Sequence, residues 1–404
     1  MIDPKRSSFK RTTEKYLKDH IFDIICVEES LKKHRILFKV NEKDFIYNSH
    51  INEYKNKNSV NSLLLNKKEA IERINQNHFN LKIESLYIKT EKGKQRLIDY
   101  YYPNDIIGYG AFSIVISVYD VVKNENYALK IIPKNKIHNR DYLDREISIQ
   151  SKLDHKNLLH LYKVVENDEY VYIFMELMEG GSLKDLILER YTNKEEYLFT
   201  DEECSIILKG ILDGLNSLHS LNIMHRDIKP DNIMFKKRHD LASVKICDFG
   251  LAIRSLDNEK SQCGTILYMS PELINRQSYD MTIDIWATGI ILYILCSGGK
   301  HPIFNMGMNN EEYYEIFNQK NSFSFPEHFA LLARNLFMKM CKFNKQYRYD
   351  CYKCLRHPWI TRNPNNDIPT TLIESCLRNS MLEKFRSVYI ANLDAGQFCI
   401  SPIL

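Results

Sequence analysis

The sequence predicts an α+β fold in which a small β-rich part precedes a larger helical part. Residues 106–120 and 124–132 alternate apolar and polar side chains, as the two strands of a hairpin do. Residues 171–177, VYIFMEL, form a short apolar run that is typical of a buried strand. After about Gly180, the apolar residues follow helical spacing over most of the chain.

The composition is that of an ordinary globular protein. The 404 residues are 44% hydrophobic and 27% charged. The net charge of +4 is small for this length, so we expect no nucleic-acid partner, because nucleic-acid binders usually carry a concentrated basic face. The longest apolar run, residues 285–296, is shorter than the roughly 20 residues that cross a bilayer. We therefore expect a buried core helix there and no transmembrane segment.

The termini and the cysteines bear on the compartment. Residues 1–16 are polar and lack the apolar core of a signal peptide. The ten cysteines are scattered, and the pair Cys351 and Cys354 has no second pair nearby to complete a zinc site. We expect a reduced, intracellular and cytoplasmic protein, with access to the nucleus left open.

The pattern divides the chain into residues 1–100, 101–360 and 361–404. The first part is rich in Lys and Asn and contains short strand-like pieces. It is either a pleckstrin-homology-like module for a lipid or protein partner, another partner-binding module, or an arm without a fixed fold. In the last part, Thr371 and Glu374 form a capping box before apolar residues that repeat every four positions. This amphipathic helix either packs on the chain itself or regulates it.

A glycine-containing loop lies between the first two strands of residues 101–360. Gly108 and Gly110 begin the pattern G-x-G-x-x-G, but Ser113 occupies the third glycine position. Glycines in such a loop let the backbone come close to phosphates because no Cβ intervenes. A dinucleotide-binding loop would lead into a helix, whereas this loop leads into a strand. The pattern therefore predicts a phosphate-binding loop of another kind.

The motifs that follow this loop appear in a diagnostic order. They are YALK with Lys130, DREISIQ with Glu146, HRDIKPDN at residues 225–232, CDFG with Asp248, SPE with Glu272, DIWATG with Asp284, and Arg348. Their order and approximate spacing are those of the protein-kinase signature set. Residues 101–360 resemble a eukaryotic serine/threonine protein kinase, with the calcium/calmodulin-dependent, Aurora and Polo-like groups nearest. The resemblance implies a two-lobed kinase fold with a β-rich N-lobe and an α-rich C-lobe. The strand-like pieces of residues 1–100 predict a small β-rich accessory domain before it.

The resemblance assigns catalytic roles to four residues. Asp227 accepts the proton of the attacking hydroxyl, and Lys229 steadies the γ-phosphate. Lys130 holds the α- and β-phosphates and pairs with Glu146. Phosphoryl transfer depends on positioning and on charge neutralisation, which is why charged residues recur at these positions. The substrates implied are ATP and the hydroxyl groups of proteins.

The resemblance also implies a nucleotide site and a metal site. Asn232 and Asp248 hold Mg²⁺. Glu176 and Met178 contact adenine through their backbone groups. The residues expected around ATP are Ile107, Gly108, Gly110, Ser113, Val115, Ala128, Lys130, Met175, Glu176, Met178 and Met234.

Four further residues are expected to be structural. His225 braces the catalytic loop in this family. Asp284 is expected to hold the backbone of that loop from the apolar helix. Glu272 and Arg348 are expected to form a buried ion pair.

The same residues bear on activity and on the acceptor. Family members without activity usually lose the lysine, the catalytic aspartate or the metal-binding aspartate, and this chain keeps all three. An active kinase is therefore expected, with a silent nucleotide-binding scaffold as the alternative. Lys229, two residues after Asp227, resembles the serine/threonine class. So does Thr265, because family members use this threonine to bridge the catalytic aspartate and lysine.

The resemblance implies control by phosphorylation. Arg226 directly precedes Asp227, and kinases with this arginine commonly await a phosphate on the activation segment. Ser261 lies four residues before Thr265 and is the predicted phosphorylation site. Ser255 is the competing site. Thr265 is the poorer candidate because its hydroxyl is expected to be engaged in the catalytic loop.

Two further residues raise alternatives. Cys247 directly precedes Asp248, so its thiol either faces the nucleotide site and reacts with electrophiles, or is an inert core residue. Ser182 lies where arginine-directed kinases carry an acid, although Asp231 remains. The resemblance therefore implies that basic residues before the acceptor help only weakly.

Overall fold

The protein's structure is a computed structural model that describes residues 69–76, 81–90, 93–110, 113–120, 122–193, 198–254, 261–304, 308, 310–319 and 322–362. A small lobe built on one antiparallel sheet precedes a large helical lobe. This arrangement confirms the predicted two-lobed α+β fold.

The small lobe is built from seven strands among the described residues. In chain order they are β1 (Tyr87–Thr90), β2 (Gly93–Arg96), β3 (Tyr101–Tyr109), β4 (Ile114–Asp120), β5 (Glu125–Pro133), β6 (Leu161–Glu166) and β7 (Tyr170–Glu176). Strands β3 to β7 form the sheet in the order β3-β4-β5-β7-β6, with every neighbouring pair antiparallel. Strands β1 and β2 pair only with each other.

The sheet has two apolar faces, because successive residues of a strand point to opposite sides. Helix α1 (Arg140–Gln150) follows β5 and covers one face, where Leu143 packs with Ile132 and Ile173. The side chain of Asn139 caps α1 by accepting a hydrogen bond from the N–H of Asp141. This packing positions α1 beside the central strand β5.

Residues 69–99 cover the other face. They comprise helical residues 69–75, the β1–β2 hairpin and two 3-10 turns, Ile83–Ser85 and Leu97–Asp99. Their buried side chains share one hydrophobic core with the sheet: Ile74, Leu81, Ile83, Leu86, Leu97 and Ile98 pack with Ile116, Leu129, Ile131 and Phe174. Asn167, between β6 and β7, donates a hydrogen bond to the carbonyl oxygen of Tyr87 at 2.7 Å.

The described part of residues 1–100 thus completes the small lobe. The hydrophobic core runs across the predicted boundary at residue 100 without a break. Most of the predicted accessory domain lies outside the described residues, so a separate domain there stays a prediction. The predicted C-terminal helix at residues 371–385 also lies outside the described residues.

The large lobe is mostly helical. Its elements are α2 (Leu183–Thr192), α3 (Asp201–Ser220), β8 (Ile223–Met224), β9 (Ile233–Phe235), β10 (Val244–Ile246), β11 (Ile253–Arg254), α4 (Pro271–Ile274), α5 (Thr282–Cys296), α6 (Asn310–Gln319), α7 (Leu331–Met340), α8 (Cys351–Leu355) and α9 (Pro358–Thr361). Two antiparallel pairs, β9–β10 and β8–β11, bring the loops between these strands together.

Helix α5 is the centre of the large lobe. Every residue from position 283 to 295 is buried, which confirms the predicted core helix. Among the described residues, no helix has both the length and the apolar character to cross a membrane.

An ion pair ties the neighbouring segments to α5. Arg348 binds the carboxylate of Glu272 through both terminal nitrogens, at 2.6 and 3.0 Å, and both side chains are buried. Arg348 also donates to the carbonyl oxygen of Thr282, the first residue of α5. The predicted ion pair is confirmed, and removal of one partner from such a pair typically costs about 3–5 kcal/mol.

Replacement of Leu86 by alanine is expected to destabilise the small lobe. Leu86 is 0% exposed and packs in the core shared with the sheet. A buried Leu→Ala change costs about 2–5 kcal/mol of unfolding free energy. Val122→Ala is the control, because Val122 is 83% exposed and its loss should leave stability within about 0.5 kcal/mol. Thermal and urea unfolding of both variants test this, and equal midpoints would contradict the shared core.

Candidate active site

The two described ends of the glycine loop, between β3 and β4, are joined by a hydrogen bond. The N–H of Gly110 donates to the carbonyl oxygen of Ser113 at 2.8 Å. A Cβ on Gly110 would lie 2.3 Å from the hydroxyl oxygen of Ser113, so a side chain there would require the Ser113 hydroxyl to move. Ser113 is itself buried. Serine at the third glycine position is therefore accommodated, and its carbonyl oxygen accepts the hydrogen bond from Gly110.

The strand register brings the predicted nucleotide-binding residues onto one face of the sheet. Val115 lies opposite both Gly108 on β3 and Lys130 on β5. Ala128 lies opposite Met175 on β7. Directly paired residues share a face, so this row faces the side on which α1 packs.

The remaining predicted contacts lie at the junction of the two lobes. Met175, Met178 and Met234 are half-buried and pack against the core of the large lobe. Ile107 is exposed at the rim. The N–H of Glu176 donates to the carbonyl oxygen of His160 at 3.0 Å. The predicted backbone contact of Glu176 with adenine would therefore be made by its carbonyl oxygen.

Lys130 and Glu146 join the sheet to α1. The Nζ of Lys130 donates to Oε1 of Glu146 at 2.8 Å, and both side chains are largely buried. Burial alone would lower the pKa of Lys130, but the charge and hydrogen bond of Glu146, together with the charge of Asp248, raise it. The lysine is therefore held as a cation that faces the large lobe.

The catalytic loop, residues 225–232, is held from below by Asp284 on α5. The two carboxylate oxygens of Asp284 accept hydrogen bonds from the backbone N–H groups of His225 and Arg226, each at 2.9 Å. His219 on α3 contacts the same carboxylate at 2.9 Å. The ring of His225 contacts the carbonyl oxygen of Cys247 at 3.0 Å, which links this loop to the one that carries Asp248. The predicted bracing roles of Asp284 and His225 are thus observed.

Asp227, Lys229 and Thr265 form a closed group. Oδ1 of Asp227 accepts hydrogen bonds from the N–H and the hydroxyl of Thr265, at 3.0 and 2.8 Å. The Nζ of Lys229 lies 3.0 Å from Oδ2 of Asp227 and donates to the Thr265 hydroxyl at 2.9 Å. The expected threonine bridge is present. It fixes the orientation of the Asp227 carboxylate.

Asn232 and Asp248 offer oxygen ligands beside Asp227. The Nδ2 of Asn232 donates to the backbone oxygen and to Oδ2 of Asp227, at 2.8 and 3.0 Å, which leaves its amide oxygen for a cation. The backbone of Asn232 accepts the N–H of Cys247 at 2.8 Å, so Asp248 follows directly. Asp248 is exposed and has a left-handed backbone, with φ of 62°. The two side chains together suit a hard cation such as Mg²⁺.

Arg226 lies between the catalytic loop and the activation segment. Its Nε donates to the carbonyl oxygen of Leu251 at 2.7 Å. Its Nη1 donates to the hydroxyls of Ser261 and Tyr279, each at 2.9 Å. The structure thus places the predicted phosphorylation residue on the predicted arginine. Ser255, the competing residue, lies outside the described residues.

Gly264 allows the activation segment to pass close to the catalytic loop. Its φ is +98°, and a Cβ there would lie 2.5 Å from the carbonyl oxygen of Arg226. No other residue type adopts this conformation at so short a distance without strain. The position of Thr265 on Asp227 depends on this glycine.

Cys247 is a buried core residue and does not present its thiol to solvent. It is 5% exposed and lies in the core of the large lobe. Burial raises the pKa of its thiol, and the charge of Asp248 acts in the same direction. The reading of Cys247 as a reactive thiol in the nucleotide site is wrong, because its position before Asp248 turns the side chain into the core.

Several charged and polar partners were not predicted. Lys236 and Lys245 bind the buried carboxylate of Glu176 at 2.6 and 2.9 Å. Lys184 on α2 binds Asp231 of the catalytic loop, and Tyr279 joins Arg226 to Ser261. Each is a long-range contact, and no local pattern in the sequence marks these residues.

Comparisons with known proteins agree with the geometry. A family model for the protein kinase domain matches residues 101–360, more than half of the chain. Calcium-dependent protein kinase 5 of Plasmodium falciparum (isolate 3D7) is 35% identical over 289 residues, which are 70% of this chain and 48% of the relative. Myosin light chain kinase A of Dictyostelium discoideum is 33% identical over 274 residues, 65% of this chain and 89% of the relative.

A human relative gives the same picture. Calcium/calmodulin-dependent protein kinase type 1B of Homo sapiens is 31% identical over 279 residues, 68% of this chain and 79% of the relative. The chain spans about half the length of the Plasmodium relative. These similarities confirm the resemblance that the motifs predict.

Alkylation by iodoacetamide at pH 8 is expected to spare Cys247. The thiolate is the reactive form, and burial of Cys247 keeps the thiol protonated. Cys263, in the activation segment, is partly exposed and serves as the internal comparison. Peptide mass spectrometry should show labelling of Cys263 at least about tenfold faster than of Cys247. Rapid labelling of Cys247 that ATP suppresses would contradict the buried assignment.

Proposed function

Since the chain belongs to the protein kinase domain family, we propose that it is an active enzyme that phosphorylates serine and threonine residues of proteins with ATP. One observation carries the proposal. Hydrogen bonds join the proton acceptor Asp227 to Thr265 and Thr265 to Lys229. A separate hydrogen bond joins Lys130 to Glu146. Catalysis of phosphoryl transfer requires such positioned charges more than covalent chemistry.

The residues divide the reaction among them. Asp227 accepts the proton of the serine or threonine hydroxyl as the oxygen forms its bond to the γ-phosphorus. The bond from that phosphorus to the bridging oxygen breaks, and ADP leaves. Lys229, 3.0 Å from Asp227, lies where it stabilises the charge on the transferred group. Thr265 holds Asp227 in a single orientation throughout.

The donor set fits MgATP. Lys130 is a cation on the face that carries Val115 and Ala128, so it would bind phosphate oxygens beneath the glycine loop. The carboxylate of Asp248 and the amide oxygen of Asn232 would hold Mg²⁺. When bound, Mg²⁺ neutralises charge on the β- and γ-phosphates. The predicted adenine site comprises Ala128, Met175, Glu176, Met178 and Met234.

The alternative is a silent nucleotide-binding scaffold. Such a protein needs nucleotide-binding residues, but it gains nothing from an oriented proton acceptor. Asp227 receives hydrogen bonds from Thr265 and Asn232, and these contacts orient it towards an incoming hydroxyl. The complete arrangement therefore favours the active enzyme.

Phosphorylation of Ser261 is the regulation that we propose. The neutral hydroxyl of Ser261 already contacts the guanidinium of Arg226 at 2.9 Å. A phosphate would add about −1.5 to −2 charges and one to three charge-assisted hydrogen bonds. Because Gly264 and Thr265 follow closely, a firmer hold on Ser261 also fixes Thr265 on Asp227. We also propose that the substrates are proteins, that residues 1–100 bind a lipid or protein partner, and that the protein is cytoplasmic.

Lys130→Met and Asp227→Asn are each expected to reduce phosphotransfer by at least about 10²–10³-fold without loss of folding. Each change removes a charge that acts in the transition state and keeps the side-chain size similar. Incorporation of labelled phosphate from ATP, by autophosphorylation and into a general protein substrate, measures the effect, and Asp248→Ala provides a third inactive variant. Thermal unfolding controls for stability. Full activity in a folded Asp227→Asn variant would refute the mechanism, and an inactive wild type would favour the scaffold.

Ser261→Ala is expected to lower activity at least about fivefold after preincubation with ATP, since couplings of this kind are worth about 5- to 150-fold. Arg226→Ala should lower it similarly, and the double variant should be no worse than Arg226→Ala alone. Ser220→Ala, which removes an exposed serine of α3, is the matched control. Activity before and after preincubation is compared with phosphate mapping by mass spectrometry. Losses that simply multiply would show that Arg226 does not bind the Ser261 phosphate.

A further inference from the structure

An ion pair borders the catalytic loop on the side of α2. The Nζ of Lys184, in the first turn of α2, donates to Oδ1 of Asp231 at 2.8 Å. The side chains are 24% and 31% exposed, so the pair lies at the surface but is not fully solvated. Asp231 belongs to the turn Pro230–Asn232 within the catalytic loop. The pair is therefore part of the wall next to the site of transfer.

A second carboxylate at this edge is also engaged by its own chain. Oδ2 of Asp185, the neighbour of Lys184, accepts hydrogen bonds from the N–H and the hydroxyl of Ser182, at 3.0 and 2.6 Å. This contact closes the capping box of α2. Asp185 thus accepts hydrogen bonds at the N-terminus of α2, and Asp231 accepts a hydrogen bond from Lys184.

Asp231 lies within reach of a bound substrate. It is four residues from Asp227, so their Cα atoms are no more than about 14 Å apart. A protein whose hydroxyl reaches Asp227 extends by about 3.3 Å per residue, so a residue about four positions from the acceptor is far enough along the chain to span that distance. A long basic side chain there would meet the carboxylate of Asp231 if that carboxylate were open.

We propose that Lys184 is a specificity-determining residue that occupies Asp231 and so removes selection for basic residues around the acceptor. The proposal rests on the kinase activity proposed above. The substrates it implies are serine and threonine sites whose flanking residues carry no requirement for arginine or lysine.

The reason is competition between a tethered and an untethered cation. Lys184 is held beside Asp231 by the fold, so it binds the carboxylate at a high effective concentration. A substrate arginine must displace it and then lie next to the released ammonium group, and like charges in contact are unfavourable. The pair as a whole presents no net charge to the substrate.

The test uses Lys184→Met, which keeps the apolar part of the side chain and removes its charge. Lys209→Met is the matched control, because Lys209 pairs with Asp213 at the same distance of 2.8 Å on α3 and lies outside the catalytic loop. Both variants change the net charge equally. The third variant combines Lys184→Met with Asp231→Asn.

The measurement is kcat/KM on arrayed serine peptide libraries in which one position, from four before to four after the acceptor, is either Arg or Ala. For the wild type and Lys209→Met, the Arg/Ala ratio should stay within about twofold of one at every position. In Lys184→Met it should rise about three- to fivefold at one or two positions, as expected for one newly available ion pair. Adding Asp231→Asn should abolish that rise.

The outcomes separate the two proposals. If the wild type phosphorylates no library, the proposed activity and this inference both fail. If the wild type is active and Lys184→Met leaves every ratio unchanged while remaining folded by thermal unfolding, the inference alone fails. A rise that persists with Asp231→Asn would also overturn it, because the cation would then be bound elsewhere.

Discussion

The candidate active site depends on the buried carboxylate of Asp284. It lies on α5, the most deeply buried helix described, and accepts the N–H groups of two consecutive residues of the catalytic loop. Burial alone would raise the pKa of Asp284, but hydrogen bonds and charge from His219 and His225 lower it. The carboxylate therefore stays ionised in the core. Arg226 adopts a left-handed backbone, with φ of 68°, and these bonds hold the loop in that conformation.

This constraint determines where the reacting groups lie. Once the loop is fixed at His225 and Arg226, Asp227 projects towards Thr265 and Asn232, which bind its two oxygens. The loop that carries Asp248 is joined to the same structure through Cys247 and Asn232. Lys130 comes from the small lobe, and its ion pair with Glu146 of the same lobe sets its position independently. The site therefore combines loops of the large lobe, which hydrogen bonds hold in place, with a lysine of the small lobe, which one ion pair positions.

The sequence predicted the residues of the site better than their surroundings. Lys130, Asp227, Asn232 and Asp248 lie in short motifs whose residue types follow from the chemistry, so order and spacing were sufficient. Contacts such as that of Tyr279 with Arg226 join residues more than 50 positions apart. No periodic pattern in the sequence predicts such contacts. Such partners are visible only after the chain has folded.

The same limit explains two places where the sequence left the structure undecided. Residues 69–99 differ in composition from the following sheet, but burial of the apolar face of that sheet requires a cover, and these residues supply it. The composition of a segment reflects its solvent-exposed side chains more than its buried ones. For Cys247 the sequence left two alternatives open, and the structure supports the inert core residue, because Cys247 is buried and follows a three-residue strand whose side chains are all buried.

The catalytic loop carries two charged side chains in opposite situations. Asp231 has a cationic partner in Lys184. Arg226, which is buried, contacts only uncharged oxygens among the described residues: the carbonyl of Leu251 and the hydroxyls of Ser261 and Tyr279. A buried guanidinium without a carboxylate is costly, because neutral oxygens offset its desolvation only in part. Among the described residues, Asp231 of this loop therefore has a charged partner, whereas Arg226 has only neutral ones. An anion on Ser261 would add a negative charge where the hydrogen bonds of Arg226 already converge.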